Sequence, residues 1–227
     1  RIRLFLQSAL QFHNIPYKKI LFQILIGQLG NKKLQEKKFR RLVFYLFKIE
    51  KLTMKVLQLV TRRQYRGAEL FAADLSAELL ELGHHVLFVG IYENSSDVLE
   101  VKGAINQDLV PAKINVFSIE ITRKLIKLIN KERPDVIQCN GSDTLKYTYA
   151  SSFFVEKIPI VYRNISIISE WVSDMPKKMI YKRIFNRVAH VTSVGDEALT
   201  DFIETYNFPR KHAEVIRRGI PVKSIDK

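Results

Sequence analysis

Short apolar stretches alternate with longer amphipathic stretches from Met54 to the end of the chain. Residues 54–60 have the aliphatic character of a buried strand, and residues 67–83 repeat leucine and alanine at helical spacing before Gly83, a residue type that commonly ends helices. Such alternation is typical of βα units and a doubly wound, mostly parallel, Rossmann-like α/β sheet. The predicted strands are 54–60, 85–91, about 114–118, 135–139, 159–163, 188–193 and 213–217, and the predicted helices are 67–83, 121–132, 142–156, 176–187 and 196–205. The polar segment from Glu93 to Val110 leaves room for one short extra strand.

Residues 1–53 have a different pattern. Their apolar positions are rich in Phe, Leu and Ile, with breaks near Pro16 and Gly30, which predicts about two or three helices. They hold twelve Lys and Arg against Glu36 and Glu50, a net charge of +10, whereas residues 54–227 hold 25 against 21, a net charge of +4. We therefore predict a basic helical segment at 1–53 outside the core domain, 54–227, and expect the natural domain to begin at Met54.

Composition narrows the function classes. The 227 residues are 47% hydrophobic, as in a globular protein of one large domain or one domain with an appendage. Cys139 is the single cysteine, so an intrachain disulfide and a thiolate-rich metal site are excluded, and a strand-end cysteine is usually a small buried hydrophobe rather than a nucleophile. The histidines form no metal-ligand pattern. No signal peptide is evident, and the apolar run from Ile20 to Leu29 is too short to cross a bilayer.

The loop after the first predicted strand is strongly basic. Arg62, Arg63 and Arg66 surround Gly67, which begins the predicted helix. Guanidinium groups and free backbone N–H groups at a helix N-terminus attract phosphate or carboxylate, and doubly wound folds bind ligands at the carboxyl ends of their strands. We therefore expect an anion site here, and the alternative is that the arginines are solvated loop charges. The loop matches neither the Gly-x-Gly-x-x-Gly pattern nor a Walker pattern, which argues against a dinucleotide site and a P-loop.

Two later strands also end in polar residues. The strand at 135–139 leads into Asn140 and Gly141, and the strand at 159–163 delivers Arg163 and Asn164 to the same edge of the sheet. Polar side chains at such an edge can hydrogen-bond a hydroxylated ligand. The alternative is that Arg163 pairs with an acidic neighbour and Asn164 closes a turn.

Six short motifs follow one another in a distinctive order and spacing. They are the strand Met54 to Val60 followed by Arg66-Gly67-Ala68-Glu69, the helix exit Leu82-Gly83-His84-His85-Val86, Arg133-Pro134-Asp135-Val136-Ile137-Gln138, Val161-Tyr162-Arg163-Asn164, Val191-Thr192-Ser193-Val194-Gly195 and Val215-Ile216-Arg217-Arg218-Gly219-Ile220-Pro221. Together they resemble the N-terminal, acceptor-side domain of GT-B glycosyltransferases, specifically the retaining family-four group, and the resemblance covers residues 54–226.

The resemblance implies transfer of a sugar, of hexosyl type, from a nucleotide sugar to a glycan or lipid-linked acceptor. It further implies retention at the anomeric carbon, no cofactor and no obligatory metal. In the family, the first loop lies against the donor diphosphate, so that Arg66 and Gly67 would face the donor phosphates. Rim residues hold the acceptor in the family, and the corresponding set here is Arg62, Arg63, Asn140, Gly141, Arg163 and Asn164. No catalytic residue is named by the resemblance.

The sequence departs from the family pattern in several places. Arg66 stands where the family usually has its first glycine, Arg163 and Asn164 stand near the place of a functional histidine, and Arg218 replaces an asparagine. The chain stops at Lys227, where the family's chain enters a second, donor-binding domain. The resemblance therefore implies that this chain alone has negligible transferase activity and needs the C-terminal donor domain.

Two other function classes stay open from the sequence. One is a non-catalytic α/β module that docks on a membrane or on a partner glycosyltransferase subunit, and the other is a different α/β enzyme of small anionic metabolites. The predicted helix from Pro176 to Val188 places Ile180, Tyr181, Ile184, Phe185 and Val188 on one side, to pack on the sheet, and basic residues on the other.

That basic face is either solvated or rests on anionic lipid headgroups. We expect a bacterial, cytoplasmic protein of polysaccharide biosynthesis, with peripheral association at the inner face of the membrane as the open alternative. A nucleic-acid partner is not expected, because aromatic residues are not interleaved with basic ones in any nucleic-acid-reading motif.

Overall fold

The computed structural model describes residues 53–112, 117–170, 172 and 174–218. The chain divides into two units, Arg1–Leu52 and Thr53–Lys227, and the description concerns the second. The helices predicted within residues 1–53 lie outside the described residues, and the assignment of that segment as separate from the core domain stays a prediction.

Strands and helices alternate through the described residues. In chain order the elements are β1 (Lys55–Arg62), α1 (Gly67–Glu81), β2 (His85–Tyr92), β3 (Ile105–Val110), α2 (Ile119–Glu132), β4 (Val136–Asn140), α3 (Ser142–Ser151), β5 (Ile160–Asn164), α4 (Met175–Phe185), β6 (His190–Ser193), α5 (Asp196–Tyr206), a 3-10 turn (Arg210–His212) and β7 (Ala213–Val215).

The described strands form one seven-stranded sheet in the order β3-β2-β1-β4-β5-β6-β7, and every neighbouring pair is parallel. The order reverses direction between β1 and β4, which is the switch point of a doubly wound fold. The predicted α/β class and its parallel, Rossmann-like sheet are therefore confirmed.

The third strand of the sheet, β3 at Ile105–Val110, lies in the polar segment from Glu93 to Val110, where the sequence pattern left room for one short extra strand. Of the strand predicted at about 114–118, residues 114–116 lie outside the described residues. Phe117 and Ser118 are not in a strand. Instead, Ser118 caps α2, because its Oγ accepts a hydrogen bond from the backbone N–H of Ile121.

Apolar side chains divide between the two faces of the sheet. On one face, Val60 and Phe88 pack against Ala72 of α1. On the same face, Val56 and Val86 pack against Leu79 of that helix. The opposite face carries the larger core cluster, to which α2, α3, α4 and α5 all contribute. Its members include Leu57, Leu59, Ile121, Leu125, Leu145, Tyr162, Phe185, Val191, Leu199 and Phe202. Among the described helices, α1 alone packs on the first face.

Helix α4 differs in part from its predicted packing. Ile184, Phe185 and Val188 are buried as expected for the side that faces the sheet. Ile180 was predicted to share that side, but it is 59% exposed. The helix therefore presents an apolar residue to solvent, beside the exposed Arg183 of its basic face.

Candidate functional site

The carboxyl ends of β1, β4 and β5 form one rim of the sheet. In the register of the strands, Asn140 of β4 lies opposite Arg163 of β5, and β1 lies on the other side of β4. Helices α1 and α3 begin at this rim, after Arg66 and Gly141, and neither has a side-chain cap hydrogen bond. The first N–H groups of both helices are therefore free of a side-chain acceptor, which is the arrangement that attracts anions.

Arg66 and Gly67 lie at the open side of the rim. Both are exposed, and Arg66 is the N-cap residue of α1. A Cβ built on Gly67 would meet nothing within 4 Å, so packing within the chain does not require glycine there. The start of α1 is therefore exposed at Arg66 and Gly67. Arg62, at the end of β1, is half-buried.

Arg63 is held by an ion pair, unlike the other two arginines of the loop. Its Nε donates to Asp108 Oδ1 at 3.0 Å and its Nη2 donates to Asp108 Oδ2 at 2.7 Å. The hydrogen bond to Asp108 is the main cause that raises the pKa of Arg63 above its ordinary value. The backbone carbonyl of Arg63 also accepts from the N–H of Leu99 at 3.0 Å. Arg63, which was predicted to bind the sugar acceptor, is therefore engaged in holding the loop in position.

Asn140 and Gly141 shape the rim at the end of β4. Asn140 is buried, its Nδ2 donates to Gln58 Oε1 at 3.1 Å and to the carbonyl of Leu59 at 3.2 Å, and its Oδ1 accepts from Gln138 Nε2 at 3.3 Å. These bonds fix the amide against β1. Gly141 has a φ of +103°, a conformation that an L side chain rarely adopts, and this turn sets the start of α3.

Arg163 is a deeply buried cation, only 2% exposed, on the face that α1 covers. Its Cζ lies 3.3 Å from the centroid of the Phe71 ring, and its Nη1 donates to the carbonyl of Ile216 at 3.2 Å. Burial lowers the pKa of Arg163 to about 10, with no charged neighbour among the causes. The acidic neighbour that the alternative interpretation required is absent from the described residues around this guanidinium.

Asn164 points to the opposite face, because successive residues of a strand alternate sides. It is fully buried, and its Nδ2 donates to the carbonyl of Ala198 in α5 at 2.9 Å. Arg163 and Asn164 therefore act on different sides of the sheet, and only Arg163 shares a face with Asn140 and α1. The sequence treated the two as a pair because they are adjacent in the chain.

Cys139 is a buried core residue. Its Sγ donates to Thr148 Oγ1 at 3.2 Å, and burial raises the pKa of the thiol to about 12. This environment suppresses the reactive thiolate. The interpretation of Cys139 as a small buried hydrophobe is confirmed.

Sequence reasoning missed three residues that the fold brings to this region. Phe71, one turn into α1, contacts Arg163, Thr192 of β6 lies opposite Arg163 in the strand register, and Asp108 of β3 binds Arg63. Each contact joins positions far apart in the chain, so no local pattern signals it.

Within residues 53–112, 117–170, 172 and 174–218, no cluster of three or more His, Cys, Asp or Glu could hold a metal ion. In the same ranges, no helix has the length and hydrophobicity needed to cross a membrane.

The chain belongs to glycosyltransferase family 4, whose sequence model matches residues 65–224. The matched region includes the end of the first loop with Arg66 and Gly67, the rim residues of β4 and β5, and the segment after β7, whereas Arg62 and Arg63 precede it. Among curated proteins, no sequence matches significantly.

Solved structures share the fold at low sequence identity. Anabaena Alr3699/HepE in complex with UDP and glucose has a TM-score of 0.56 at 19% identity, over 74% of this chain and 45% of that chain. The lipopolysaccharide outer core galactosyltransferase WaaB has a TM-score of 0.56 at 11% identity, over 76% of this chain and 48% of that chain. UDP-N-acetylglucosamine 2-epimerase from Rickettsia bellii has a TM-score of 0.50 at 15% identity, over 72% of this chain and 44% of that chain.

The family match and these likenesses in fold confirm the resemblance to the N-terminal domain of GT-B glycosyltransferases. The chain spans less than half the length of each of these three proteins.

Proposed function

We propose that this chain is the acceptor-binding half of a glycosyltransferase that moves a sugar from a nucleotide sugar to a glycan or lipid-linked acceptor. The observation that carries the proposal is the convergence of the β1, β4 and β5 ends on one rim of a family-four domain, with Asn140 and Arg163 in register. Arg62, at the end of β1, and Gly141, at the start of α3, complete the acceptor side.

The donor phosphates are proposed to meet the chain at Arg66 and Gly67. The exposed arginine supplies charge, and the uncapped N-terminus of α1 supplies backbone N–H donors. A nucleotide-sugar donor is supported by the structural neighbour Anabaena Alr3699/HepE, which was solved with UDP and glucose. Arg63 contributes by holding the loop in place through Asp108.

The rest of the active site is proposed to lie in a C-terminal donor-binding domain, because this chain covers only 45% of the HepE chain. Because residues 1–227 would form only one wall of the cleft between the two domains, we propose that they have negligible transferase activity alone. The reaction is proposed to transfer a hexosyl group with retention and to need no cofactor and no obligatory metal. The proposed location is the cytoplasm of a bacterium, in polysaccharide biosynthesis.

A transfer assay tests this proposal. Residues 1–227 and the product of the same locus extended past Lys227 are incubated with a panel of UDP- and GDP-sugars, and both hydrolysis and transfer are measured. We expect activity only in the extended product. Equal turnover by residues 1–227 alone would contradict the proposal that a C-terminal domain binds the donor. If the extended product lacks a second α/β domain and is inactive, the proposed enzyme function is wrong.

The second candidate is a module that docks on an anionic membrane surface, and the exposed face of α4 favours it. Met179 and Ile180 are 58% and 59% exposed, and Lys182 and Arg183 are exposed beside them. Apolar side chains flanked by cations suit the interface of an anionic bilayer.

Cosedimentation with phosphatidylglycerol and phosphatidylcholine vesicles tests this docking. We expect binding to the anionic vesicles only, weakened by Ile180→Ser. The matched control is Ile119→Ser, which removes an equally exposed isoleucine from α2. Equal effects of the two substitutions would show that α4 is not the contact.

A further inference from the structure

The buried guanidinium of Arg163 has fewer partners than its charge requires. Burying a cation is costly unless it is paired and hydrogen-bonded. Its Nη1 bonds the Ile216 carbonyl, and its π face stacks on Phe71, but its Nε has no hydrogen-bond partner. Neither contact supplies a negative charge. The fold therefore buries the positive charge of Arg163 and leaves its Nε–H without an acceptor. This residue is the last but one of β5.

The acidic residues around this position already have other partners. Glu214, two strands away in the same register row, lies 3.1 Å from His190 Nε2. Asp74, one turn beyond Phe71 in α1, accepts from Arg218 Nε at 2.9 Å. These carboxylates are thus engaged elsewhere, and an ion pair to Arg163 is absent among the described residues.

A second unpaired group lies beside Arg163. Thr192 is its register partner on β6, is 2% exposed, and has a buried Oγ1 without a hydrogen-bond partner. Residues in register on neighbouring parallel strands project from the same face of the sheet, with neighbouring strands about 4.8 Å apart. An arginine N–H and a threonine hydroxyl, both without a hydrogen-bond partner, therefore lie on the same face of adjacent strands, and an oxyanion can accept hydrogen bonds from both kinds of group.

We propose that Arg163 and Thr192 bind an oxyanion of the acceptor, a phosphate or a carboxylate, at the rim between α1 and β6. This inference rests on the proposed function, and it adds the substrate class: the acceptor is anionic. Asn140, on the other side of Arg163, is fixed by Gln58 and closes that side of the subsite.

A binding measurement on residues 1–227 tests the subsite without any donor chemistry. Pyrophosphate and glucuronate are titrated by calorimetry at low ionic strength, with glucose as the neutral comparison. Wild type binds at least one of the anions and does not respond to glucose. Arg163→Gln weakens anion binding roughly ten- to hundredfold, since hydrogen bonds to charged groups are at stake. Thr192→Val weakens it less.

The matched control is Arg123→Gln. Arg123 is an exposed arginine on α2, which packs on the opposite face, so its removal takes away the same charge and leaves anion affinity unchanged. Arg163→Lys keeps the positive charge but loses the planar set of guanidinium N–H donors. Its affinity for the anion falls between those of wild type and Arg163→Gln.

Thermal unfolding separates a ligand site from a structural role. Because Arg163 is not in an ion pair, Arg163→Gln leaves the Tm of the unliganded chain unchanged or raises it. A lower Tm together with undiminished anion binding would overturn the proposal and assign Arg163 to the core.

The two anions distinguish the source of the charge. A response to pyrophosphate alone supports a phosphate-bearing acceptor, such as a lipid-linked diphosphate, and a response to glucuronate alone supports an acidic sugar. Binding of neither anion to wild type overturns the proposal.

If the extended product proves inactive while anions still bind through Arg163, the proposed function fails and the oxyanion subsite stands. If it transfers sugar with the same KM for acceptor in Arg163→Gln, the subsite fails and the function stands.

Discussion

Asp108 receives two hydrogen bonds from Arg63, at 3.0 and 2.7 Å, and this pair fastens the loop after β1 to β3. Both side chains are largely buried, and Glu100 adds only a longer, exposed contact of 3.6 Å to Arg63. The loop that carries Arg66 and Gly67 is therefore positioned by a strand two places away in the sheet order.

Asp108→Asn tests the strength of this fastening. The substitution leaves the Arg63 charge buried beside a neutral amide, so the free energy of unfolding falls by roughly 3 kcal/mol. Urea denaturation measures the change. The comparison variant is Glu120→Gln, which breaks the more exposed pair between Glu120 and Lys124 in α2 and costs less than about 0.5 kcal/mol. Similar losses in both variants would mean that the Arg63 pair is no stronger than a surface pair.

Gly90→Ala tests the same contact from the other side. A Cβ at Gly90 would lie 2.1 Å from Asp108 Oδ1, so the carboxylate has to move. Since Arg63 holds that oxygen, movement loosens the ion pair, and we expect a loss of about 1–3 kcal/mol in the free energy of unfolding. Combining Gly90→Ala with Asp108→Asn should cost less than the sum of the two single changes. Strict additivity would show that Gly90 and Asp108 do not interact.

Gly67→Ala separates stability from function at the first loop. Because a Cβ there meets nothing within 4 Å, the free energy of unfolding should stay within about 0.5 kcal/mol of wild type. If the donor diphosphate approaches this backbone, the added methyl displaces it, and transfer by the extended product falls roughly tenfold or more. Gly195→Ala is the control, since Gly195 precedes α5 and has equally open surroundings. Unchanged transfer in Gly67→Ala would remove Gly67 from the donor site.

Cys139 gives a prediction that depends on pH. Its raised pKa of about 12 leaves almost no thiolate at pH 8, so a thiol reagent should label the native chain far more slowly than the unfolded chain. The labelling rate should rise with pH towards the pKa, as the thiolate fraction grows. Cys139→Ala should leave transfer by the extended product unchanged. Rapid labelling at neutral pH, or loss of transfer in Cys139→Ala, would make Cys139 a reactive residue.

The long, strongly patterned elements could be predicted from the sequence with their approximate bounds, whereas the polar edge strand could be predicted only as a short strand somewhere between Glu93 and Val110. β1 and α1 follow directly from aliphatic runs and leucine spacing. β3 reads Ile-Asn-Gln-Asp-Leu-Val, and this polar sequence lacks the apolar signal of a buried strand. Its strand character comes from pairing with β2 and from Asp108, whose partner Arg63 lies 45 positions earlier.

The rim itself was predictable, but the roles of its side chains were not. Strand ends in a parallel sheet must share an edge, which brought Asn140 and Arg163 together as expected. Alternation along β5 separates Asn164 from Arg163 once the strand is known, but the register with β6 and the packing of α1 add Thr192 and Phe71. Such neighbours are set by the packed fold, and a linear pattern does not contain them.

The polar character that left the bounds of β3 unmarked in the sequence also protects the sheet from association with other chains. Among the described strands, β3 and β7 are at the two edges of the sheet, where unpaired backbone groups could recruit a strand of another molecule. β3 carries Asn106, Gln107 and Asp108 in its centre, and Asn106 is tied to the backbone of Val101 and Ala104. β7 is only three residues long. Neither edge offers a long, apolar template, so this parallel sheet resists edge-to-edge aggregation.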